Sequence, residues 1–470
     1  MTPSAHATAV DPTVSVPRAA LTTRDVGRLA CAALLVHALV FLGSIREPAR
    51  SMEEDSRGYL SLASNLIGQG TFGRLVRTGA GPEEAWRPEL ARTPGYPLVI
   101  AAFDRVTAHR RAATVAFQHL LAIALALLVA LLAARRWGRR AGAVAGVLLV
   151  VDLQGVALSN MVLTETIYGV LLFACAAGVV WLLERPSLRA AVLVGLVAGV
   201  SALVRPTSIV LPLALGLIAA VYLVGLLRWR ALAVAIALAV SGMAIVGAWT
   251  VRNGVTCGEF TLSTVGRYNL LACHAAGALA RAEDIDDQEA TTRLCAAAGI
   301  SEQQLRYAPL TKEANAAVRD VAVRTIRTHP AGFVKDYTLR TLNMVAGPEK
   351  HALTALGLPS VRAGERGSGI AAMFSWIVLA FQVGFLALIY ALVLRAAAQA
   401  WRARRAEPLL VVFAVCAAYV LVLSSGSPGD PRMRWPAMPL LVTIAASTLR
   451  RRDRPADYCF GGRGAGAPSS

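Results

Sequence analysis

The residues of this chain that could do chemistry begin with three acidic side chains at 53–55, directly after the first long apolar stretch. A helix that begins near Asp55 would place Tyr59 and Leu66 on one buried face and leave the Asp55 carboxylate at the helix N-terminus. There the carboxylate could cap the helix by accepting main-chain N–H groups. It could instead act as a general base that takes a proton from an incoming hydroxyl or amine. The sequence leaves both interpretations open.

Arg92 stands directly before a rigid turn. The run Pro94-Gly95-Tyr96-Pro97 restricts the backbone, so the direction of the preceding arginine is fixed. The planar donor fork of an arginine matches the geometry of a phosphate. The alternative is an arginine at a helix end whose charged head reaches back to the membrane surface.

Four more charged residues stand at the ends of later apolar stretches. Glu165 lies near the start of the fourth stretch and Arg205 at the end of the fifth, while Arg252 follows the seventh. Arg434 opens the tenth. Charges this close to hydrocarbon are costly and tend to face a cavity or a partner, although a structural salt bridge explains each one taken alone. As a group with the acidic run and the arginine before the turn, they predict a pocket that holds an anionic lipid head group and transfers a proton.

The elements that must position these residues are apolar stretches, each near the ~20 residues that a helix needs to cross a membrane. There are ten such stretches, at 26–45, 112–133, 141–159, 162–183, 189–204, 207–227, 231–250, 370–395, 408–424 and 434–449. With 56% hydrophobic and only 16% charged residues among 470, the chain has too little polar surface for a water-soluble globule. We therefore expect an all-α polytopic membrane protein with about ten transmembrane helices and two long extracytoplasmic segments.

Arginine clusters predict the orientation of these helices. If the N-terminus is cytoplasmic, the short connections on that side are rich in arginine, whereas the short connections on the opposite side carry few. The clusters lie at 18–28, 135–140, 185–189, 228–230, 395–405 and 450–454. Positive charge favours the cytoplasmic side of short loops, so the candidate residues described above are expected on the extracytoplasmic side.

Two long connecting segments interrupt the helices. We call 46–111 the first segment, which is expected to contain the catalytic loop, and 251–369 the second segment, which is large enough for a small extracytoplasmic domain. The remaining predicted regions are a disordered cytoplasmic tail at 1–25, a transmembrane core at 26–250 that includes the first segment, C-terminal transmembrane helices at 370–450 and a cytoplasmic tail at 451–470.

The sequence argues against several other classes of function. The net charge of +18 arises largely from arginines at helix ends that face an anionic leaflet, so no nucleic-acid partner is expected. Cysteines and histidines show no metal-ligand spacing, and no nucleotide-binding glycine loop is present. We therefore predict no cofactor and no metal site, and leave a divalent-metal requirement open. Cys257, Cys273 and Cys295 share the second segment, where an oxidising compartment could pair two of them.

A series of motifs resembles the membrane glycosyltransferases of the C-type superfamily. The resemblance covers about 50–440 in the correct order and is greatest to lipid A aminoarabinose transferases and protein O-mannosyltransferase-like enzymes. The motifs are Asp55-x-x-x-Tyr59, Arg92-x-Pro94-Gly95-Tyr96-Pro97, Leu163-Thr164-Glu165, Arg205-Pro206-Thr207, Trp249-x-x-Arg252-Asn253 and Arg432-Met433-Arg434-Trp435-Pro436.

This resemblance implies transfer of a sugar to a glycan, lipid or protein acceptor. The donor is a polyprenyl-phosphate sugar that is embedded in the membrane lipid. It places the reaction on the extracytoplasmic face of the plasma membrane, which is the inner membrane in a bacterium. The family's catalytic carboxylate corresponds to Asp55, with Glu54 and Glu165 as further acids. Its phosphate-binding basic residue corresponds to Arg92. The other positions carried over as substrate-binding are Tyr59, Arg205, Arg252 and Arg434.

A transporter or flippase of a lipid-linked saccharide is the main alternative, because it would need a similar number of spans and basic residues. Such proteins commonly show repeated halves and polar residues at the bilayer midplane. Here the two halves of the sequence differ and the charges cluster at helix ends, which favours a transferase. A non-catalytic scaffold would explain the spans but not the sorting of Asp55, Arg92 and Arg434 to one side.

Overall fold

The structure is a computed structural model that describes residues 20–77, 84–108, 110–227, 229–359, 369–404, 406–426 and 429–450. In chain order its α-helices are α1 (Thr23–Arg46), α2 (Glu54–Gln69), α3 (Gly95–Val106), α4 (Arg110–Trp137), α5 (Arg139–Val150), α6 (Leu153–Asn160), α7 (Glu165–Glu184), α8 (Leu188–Val204), α9 (Leu211–Leu227), α10 (Trp229–Cys257), α11 (Val265–Tyr268), α12 (Ala276–Glu283), α13 (Asp287–Ala297), α14 (Glu302–Tyr307), α15 (Lys312–Thr328), α16 (Pro330–Ala346), α17 (His351–Leu356), α18 (Ile370–Arg402), α19 (Pro408–Ser424) and α20 (Met438–Ala446).

All ten predicted apolar stretches fall on helices, which confirms the all-α membrane fold. Among the described residues, six helices are long and apolar enough to cross a membrane, and α5 with α6, bent by 50° at their junction, can form a seventh span. The shorter apolar helices are α8 and α19. The tenth stretch is α20 with a 3-10 turn on either side, Pro431–Ala437 and Ser447–Leu449. The chain is therefore a multi-pass membrane protein.

The predicted N-terminal tail at 1–25 extends too far. Helix α1 begins at Thr23 because Thr22 and Asp25 form a capping box, in which each side chain accepts the main-chain N–H of the other residue. Residues 1–19 and the predicted C-terminal tail at 451–470 lie outside the described residues.

The first segment folds into α2, a β-hairpin and α3. Strands β1 (Gly73–Arg77) and β2 (Glu84–Pro88) pair antiparallel, with Gly73 opposite Pro88. After the hairpin the chain turns through Pro94, and α3 starts at the next residue. The prolines and glycine of this turn thus form the entry to a helix, as their restricted backbone predicts.

Helices α11 to α17 form the second segment, together with a π-helix at Asn269–Ala275. Leu271, Leu294, Leu305 and Val318 belong to a separate apolar core within it. Cys257 and Cys295, two of the three cysteines that the sequence allowed to pair, are free thiols.

Helix α7 lies at the centre of the membrane-spanning part, since 67% of its most apolar stretch is buried. Its N-terminus and the C-terminus of α8 open toward the same cavity as the first segment. A close contact fixes this arrangement: a Cβ added to Gly95, at the start of α3, would lie 2.7 Å from the main-chain oxygen of Leu203 in α8. Only glycine allows the two helices to approach this closely.

Candidate functional site

A cavity of about 260 Å³ lies where the first segment, the second segment and the ends of α7, α8 and α19 meet. Six of its lining residues are charged, four arginines and two carboxylates. The charged and aromatic residues that line it are Asp55, Tyr59, Arg92, Glu165, Arg205, Tyr268, Arg306 and Arg432. This volume is near the lower end of the range for small-molecule sites.

Asp55 lies between two arginines in this cavity. Arg92 Nη2 donates to Asp55 Oδ1 at 2.8 Å, and Arg432 Nη2 donates to Oδ2 at 2.9 Å. Burial alone would raise the pKa of the Asp55 carboxyl, but the charges of Arg432 and Arg92 outweigh it and hold the pKa below its usual value. The side chain is therefore ionised at neutral pH, the protonation state that a general base requires.

The structure excludes one of the two interpretations of Asp55, and its role as a general base stays a prediction. Helix α2 is capped by Glu53, whose side chain accepts the main-chain N–H of Glu54 and which forms a capping box with Ser56. Asp55 lies inside the first turn and faces the cavity. The interpretation of Asp55 as the helix cap is therefore wrong, because the cap lies two residues earlier.

Arg92 is held in place by the first segment. The carboxylate of Glu89, which is 2% exposed, accepts the main-chain N–H groups of Ala91 and Arg92. The guanidinium carbon of Arg92 lies 5.0 Å from the ring centre of Tyr59. A Cβ on Gly58 would come within 2.7 Å of Arg92 Nη1, so this glycine makes room for the arginine.

Glu165 occupies the far side of the cavity, at the N-terminus of α7. Its Oε1 lies 3.4 Å from Arg205 Nη1 and 3.7 Å from Arg432 Nε. Neither of these two buried nitrogen atoms has a hydrogen-bond partner among the described residues. Glu165 is thus within ion-pair distance of both arginines but accepts no hydrogen bond from these two nitrogen atoms.

Three residues that the sequence grouped with the site lie outside the cavity lining. Glu54 is exposed and pairs with Arg306 at 3.4 Å. Arg252 stacks over Trp249 at 4.8 Å, and its Nη1 donates to Asn253.

Arg434 is buried beside the cavity instead of within it. Its Nη1 donates to the main-chain oxygens of Met344 at 2.8 Å and Gly347 at 2.6 Å, so it joins α16 to the 3-10 turn before α20. The structure does not bring Glu54, Arg252 and Arg434 into the cavity lining, and their functional roles remain predictions.

Arg432 is a cavity residue that the sequence grouping missed. It belongs to the Arg432-Met433-Arg434 motif, and the 3-10 turn directs its two arginines to different neighbours. A second missed group comes from the second segment, which contributes Tyr268, Asn269 and Arg306 to the lining. No local sequence signal marks these three residues, because tertiary folding brings them to the site.

A second polar cluster lies next to the cavity. Glu349, His351 and Asp430 bring one ligand atom each to within 4.8 Å of one another and could hold a metal ion. None of them lines the cavity, although Asp430 is two residues from Arg432. The prediction that the protein needs no metal or other cofactor stays a prediction.

Comparison with known proteins supports the resemblance. Residues 91–251 match the profile of the dolichyl-phosphate-mannose-protein mannosyltransferase family. That range contains Arg92, Glu165 and Arg205 and ends before Arg432. A search of curated protein sequences returns no significant match.

Solved structures of one archaeal oligosaccharyltransferase share the fold, and a third structure aligns more weakly. The archaeal oligosaccharyltransferase AglB from Archaeoglobus fulgidus, in complex with an inhibitory peptide and a dolichol-phosphate, aligns with a TM-score of 0.51 and 13% identity over 90% of this chain and 49% of that one. The apo form of the oligosaccharyltransferase from the same organism gives 0.50 and 11% over 90% and 50%. ArnT from Cupriavidus metallidurans, in the apo state, aligns at 15% identity over 91% and 76% with a TM-score of 0.39.

The chain spans about half the length of the oligosaccharyltransferase that it matches. The shared fold and the family match confirm the class that the motifs predicted: a multi-pass helical membrane protein that resembles C-type glycosyltransferases.

Proposed function

We propose that this chain is a membrane glycosyltransferase that moves a sugar from a polyprenyl-phosphate donor to an acceptor. The observation that carries the proposal is Asp55, held ionised between Arg92 and Arg432 in a cavity that Arg205 and Glu165 also line. A carboxylate among arginines combines a proton acceptor with a binding site for a phosphate leaving group. The family match over 91–251 supports the same reaction class.

In this proposal, donor binding rearranges the ion pairs between Asp55 and the two arginines. Both carboxylate oxygens of Asp55 accept from arginines in the structure, so the base is occupied. A phosphate that enters the cavity competes for the same guanidinium groups, and Arg92 and Arg432 turn toward it. The departure of positive charge raises the proton affinity of Asp55, which makes it a stronger base when the donor is bound.

The transfer is then a single displacement. Asp55 takes the proton of the acceptor hydroxyl or amine, whose lone pair forms the new bond to the anomeric carbon. The bond from that carbon to the phosphate oxygen breaks, and its electron pair stays on the phosphate. Arginines stabilise the charge that grows on this oxygen. Attack opposite the leaving group inverts the anomeric centre.

In this proposal the elements around the cavity have the following roles. We place the cavity on the extracytoplasmic face of the plasma membrane, the inner membrane in a bacterium, with the first segment supplying the catalytic loop. The second segment supplies Tyr268, Asn269 and Arg306 to the lining, so it is the part that meets the acceptor. Glu165 holds Arg205 and Arg432 in position through its ion pairs.

A donor screen tests this function. Purified protein in lipid nanodiscs is offered polyprenyl-phosphate sugars labelled in the sugar, together with membrane lipid, glycan and protein acceptors. Covalent transfer by the wild-type chain, with release of the lipid phosphate, is the expected result. Movement of intact labelled donor across a vesicle membrane without any transfer would support the flippase alternative and overturn the proposal.

A further inference from the structure

One of the predicted apolar stretches is broken into two helices. Helices α5 and α6 are bent by 50° where they meet, and two polar residues at this break, Asp152 and Gln154, are only 2% and 3% exposed. Asp152 Oδ1 accepts the main-chain N–H of Gln154 at 3.2 Å and so caps α6. Broken backbone and buried polar side chains are costly within a membrane span, which indicates that these residues serve another part of the protein.

Both side chains hold the turn that precedes α20. Gln154 Nε2 donates to the main-chain oxygen of Pro431 at 2.8 Å. Trp435 Nε1 donates to Asp152 Oδ2 at 3.0 Å. Pro431 and Trp435 belong to the same 3-10 turn and lie on either side of Arg432. The backbone of Arg432 is therefore held on both sides by residues from the break between α5 and α6.

The indole ring of Trp435 is closely packed against two glycines. The residue is 3% exposed. A Cβ added to Gly155 in α6 would lie 2.5 Å from the indole Nε1, and one added to Gly169 in α7 would lie 2.6 Å from the ring carbon Cζ3. A side chain at either position would displace the ring. These glycines and the hydrogen bond to Asp152 together fix the turn relative to α6 and α7.

The position of this turn determines the ion pairs of the cavity. Arg432 Nη2 donates to Asp55 Oδ2 at 2.9 Å, and Arg432 Nε lies 3.7 Å from Glu165 Oε1. The main-chain N–H of Arg432 is bonded to Asp430 Oδ1 within the same turn. A long side chain with several rotatable bonds holds its charge at a defined point only if the backbone and the contacts around it are fixed.

We propose that Asp152 and Gln154 are positioning residues for Arg432. Neither lines the cavity, and they act through Trp435 and Pro431, whose places in the turn they fix. The break between α5 and α6 serves this purpose, because it starts a new helix whose first residues both reach the turn. The assignment rests on the proposed function only for the role of Arg432 at the donor phosphate, since the ion pair between Arg432 and Asp55 belongs to the fold and can be tested without a substrate.

A double-mutant cycle tests this assignment. The change in melting temperature caused by Asp55→Asn is measured in detergent in two backgrounds, the wild type and Trp435→Phe. Phenylalanine keeps a ring between the two glycines but cannot donate to Asp152. Residues that do not touch and have independent structural roles show additive effects. We expect the change caused by Asp55→Asn to be about half as large in the Trp435→Phe background, because Arg432 is then no longer held against Asp55 while Arg92 still is.

Further variants separate positioning from packing. Gln154→Met keeps the size of the side chain but loses the donor to Pro431, so it should reduce the effect of Asp55→Asn in the same way. Asp152→Asn keeps an oxygen that caps α6 and accepts the indole N–H, so the full effect of Asp55→Asn should be retained. Asp152→Leu removes this acceptor and should behave like Trp435→Phe.

Trp137→Phe is the matched control. Trp137 is 9% exposed, and its Nε1 donates to Glu407 Oε2 at 3.1 Å, which is the same kind of bond. Glu407 precedes the start of α19, whereas Ser424 lines the cavity from the other end of this helix, about 25 Å away. Trp137→Phe should lower the melting temperature but remain additive with Asp55→Asn.

Two results would overturn the assignment. One is additivity of Asp55→Asn with both Trp435→Phe and Gln154→Met. The other is equal non-additivity with Trp137→Phe, which would mean that any loosened helix contact weakens the ion pair. No donor or acceptor is used, so either result leaves the proposed transfer reaction standing, and a negative donor screen leaves the positioning roles standing.

Discussion

At the scale of single residues, the site is defined by shared ion pairs. Arg432 contacts both Asp55 and Glu165, and Arg92 shares Asp55 with it. Each carboxylate therefore keeps an arginine in place, and each arginine keeps a carboxylate ionised. A phosphate can enter this network by replacing the carboxylates as the partner of the arginines, because its oxygen atoms accept the same N–H groups.

Replacement of Asp55 by asparagine tests the base. Asparagine keeps the size of the side chain but cannot accept the proton, so transfer should fall by about 10²–10⁴ if the donor screen has established a substrate. Glu54→Gln is the control, because Glu54 is exposed and outside the cavity, and its effect should be mild. Near-normal turnover by the Asp55→Asn variant together with loss in the Glu165→Gln variant would assign the base to Glu165.

Arg92→Lys tests the phosphate contact. Lysine keeps the positive charge but loses the planar fork, so the KM for the donor should rise about tenfold while the protein folds normally. Arg252→Lys is the matched control, since Arg252 stacks on Trp249 away from the cavity. Wild-type kinetics for Arg92→Ala would assign Arg92 to anchoring at the membrane interface.

The lowered pKa of Asp55 predicts the pH dependence of the free enzyme. A carboxyl with a depressed pKa stays ionised at every pH above the usual pKa of an aspartate. We therefore expect kcat/KM to show no acid limb between about pH 5 and 8. The ion pairs of Asp55 likewise stabilise the fold at neutral pH and are lost only as the pH falls through the depressed pKa. An acid limb near pH 6 in the rate profile would indicate a different base.

At the scale of elements, the site depends on how α2, α3 and α8 meet. The sequence predicted the helix from Asp55 onward and the rigid turn at Pro94, because both follow from local periodicity and proline chemistry. It did not predict the bend between α5 and α6, where Asp152 caps a new helix inside one apolar stretch. Apolar composition alone does not distinguish a straight span from a broken one.

Gly95→Ala tests the contact between α3 and α8. The added Cβ would lie 2.7 Å from the main-chain oxygen of Leu203, so one helix must shift, at a cost of about 1–3 kcal/mol in unfolding free energy. The melting temperature in detergent should fall. Gly247→Ala in α10 is the control: no atom lies within 4 Å of the added Cβ, so stability should be unchanged or slightly raised. Equal melting temperatures for both variants would show that α3 moves freely.

At the scale of the whole molecule, the charged residues of the cavity lie together at one end of the helices. The sequence predicted that Asp55, Tyr59, Arg92, Glu165 and Arg205 would meet, and the structure places all five in one cavity. This was possible because Glu165 and Arg205 mark the ends of apolar stretches, Asp55 belongs to an acidic run after the first stretch, Arg92 precedes a rigid proline turn, and the family resemblance adds Tyr59. Arg306 and Tyr268 could not be found this way, since their position depends on how the second segment folds over the first.

The arginine clusters predict which side of the membrane the cavity faces, and this orientation can be measured. Gln303 in the second segment and Ala403 after α18 are both exposed, so each can carry a reporter cysteine in a background whose native cysteines are replaced by alanine. A membrane-impermeant maleimide applied to intact cells should label Gln303→Cys and spare Ala403→Cys until the membrane is permeabilised. The reverse pattern would place the cavity on the cytoplasmic side, where a donor delivered across the bilayer would not be needed. Because arginine bias acts on short loops and the cavity is built largely from long segments, this labelling decides the siting of the chemistry independently of the activity assay.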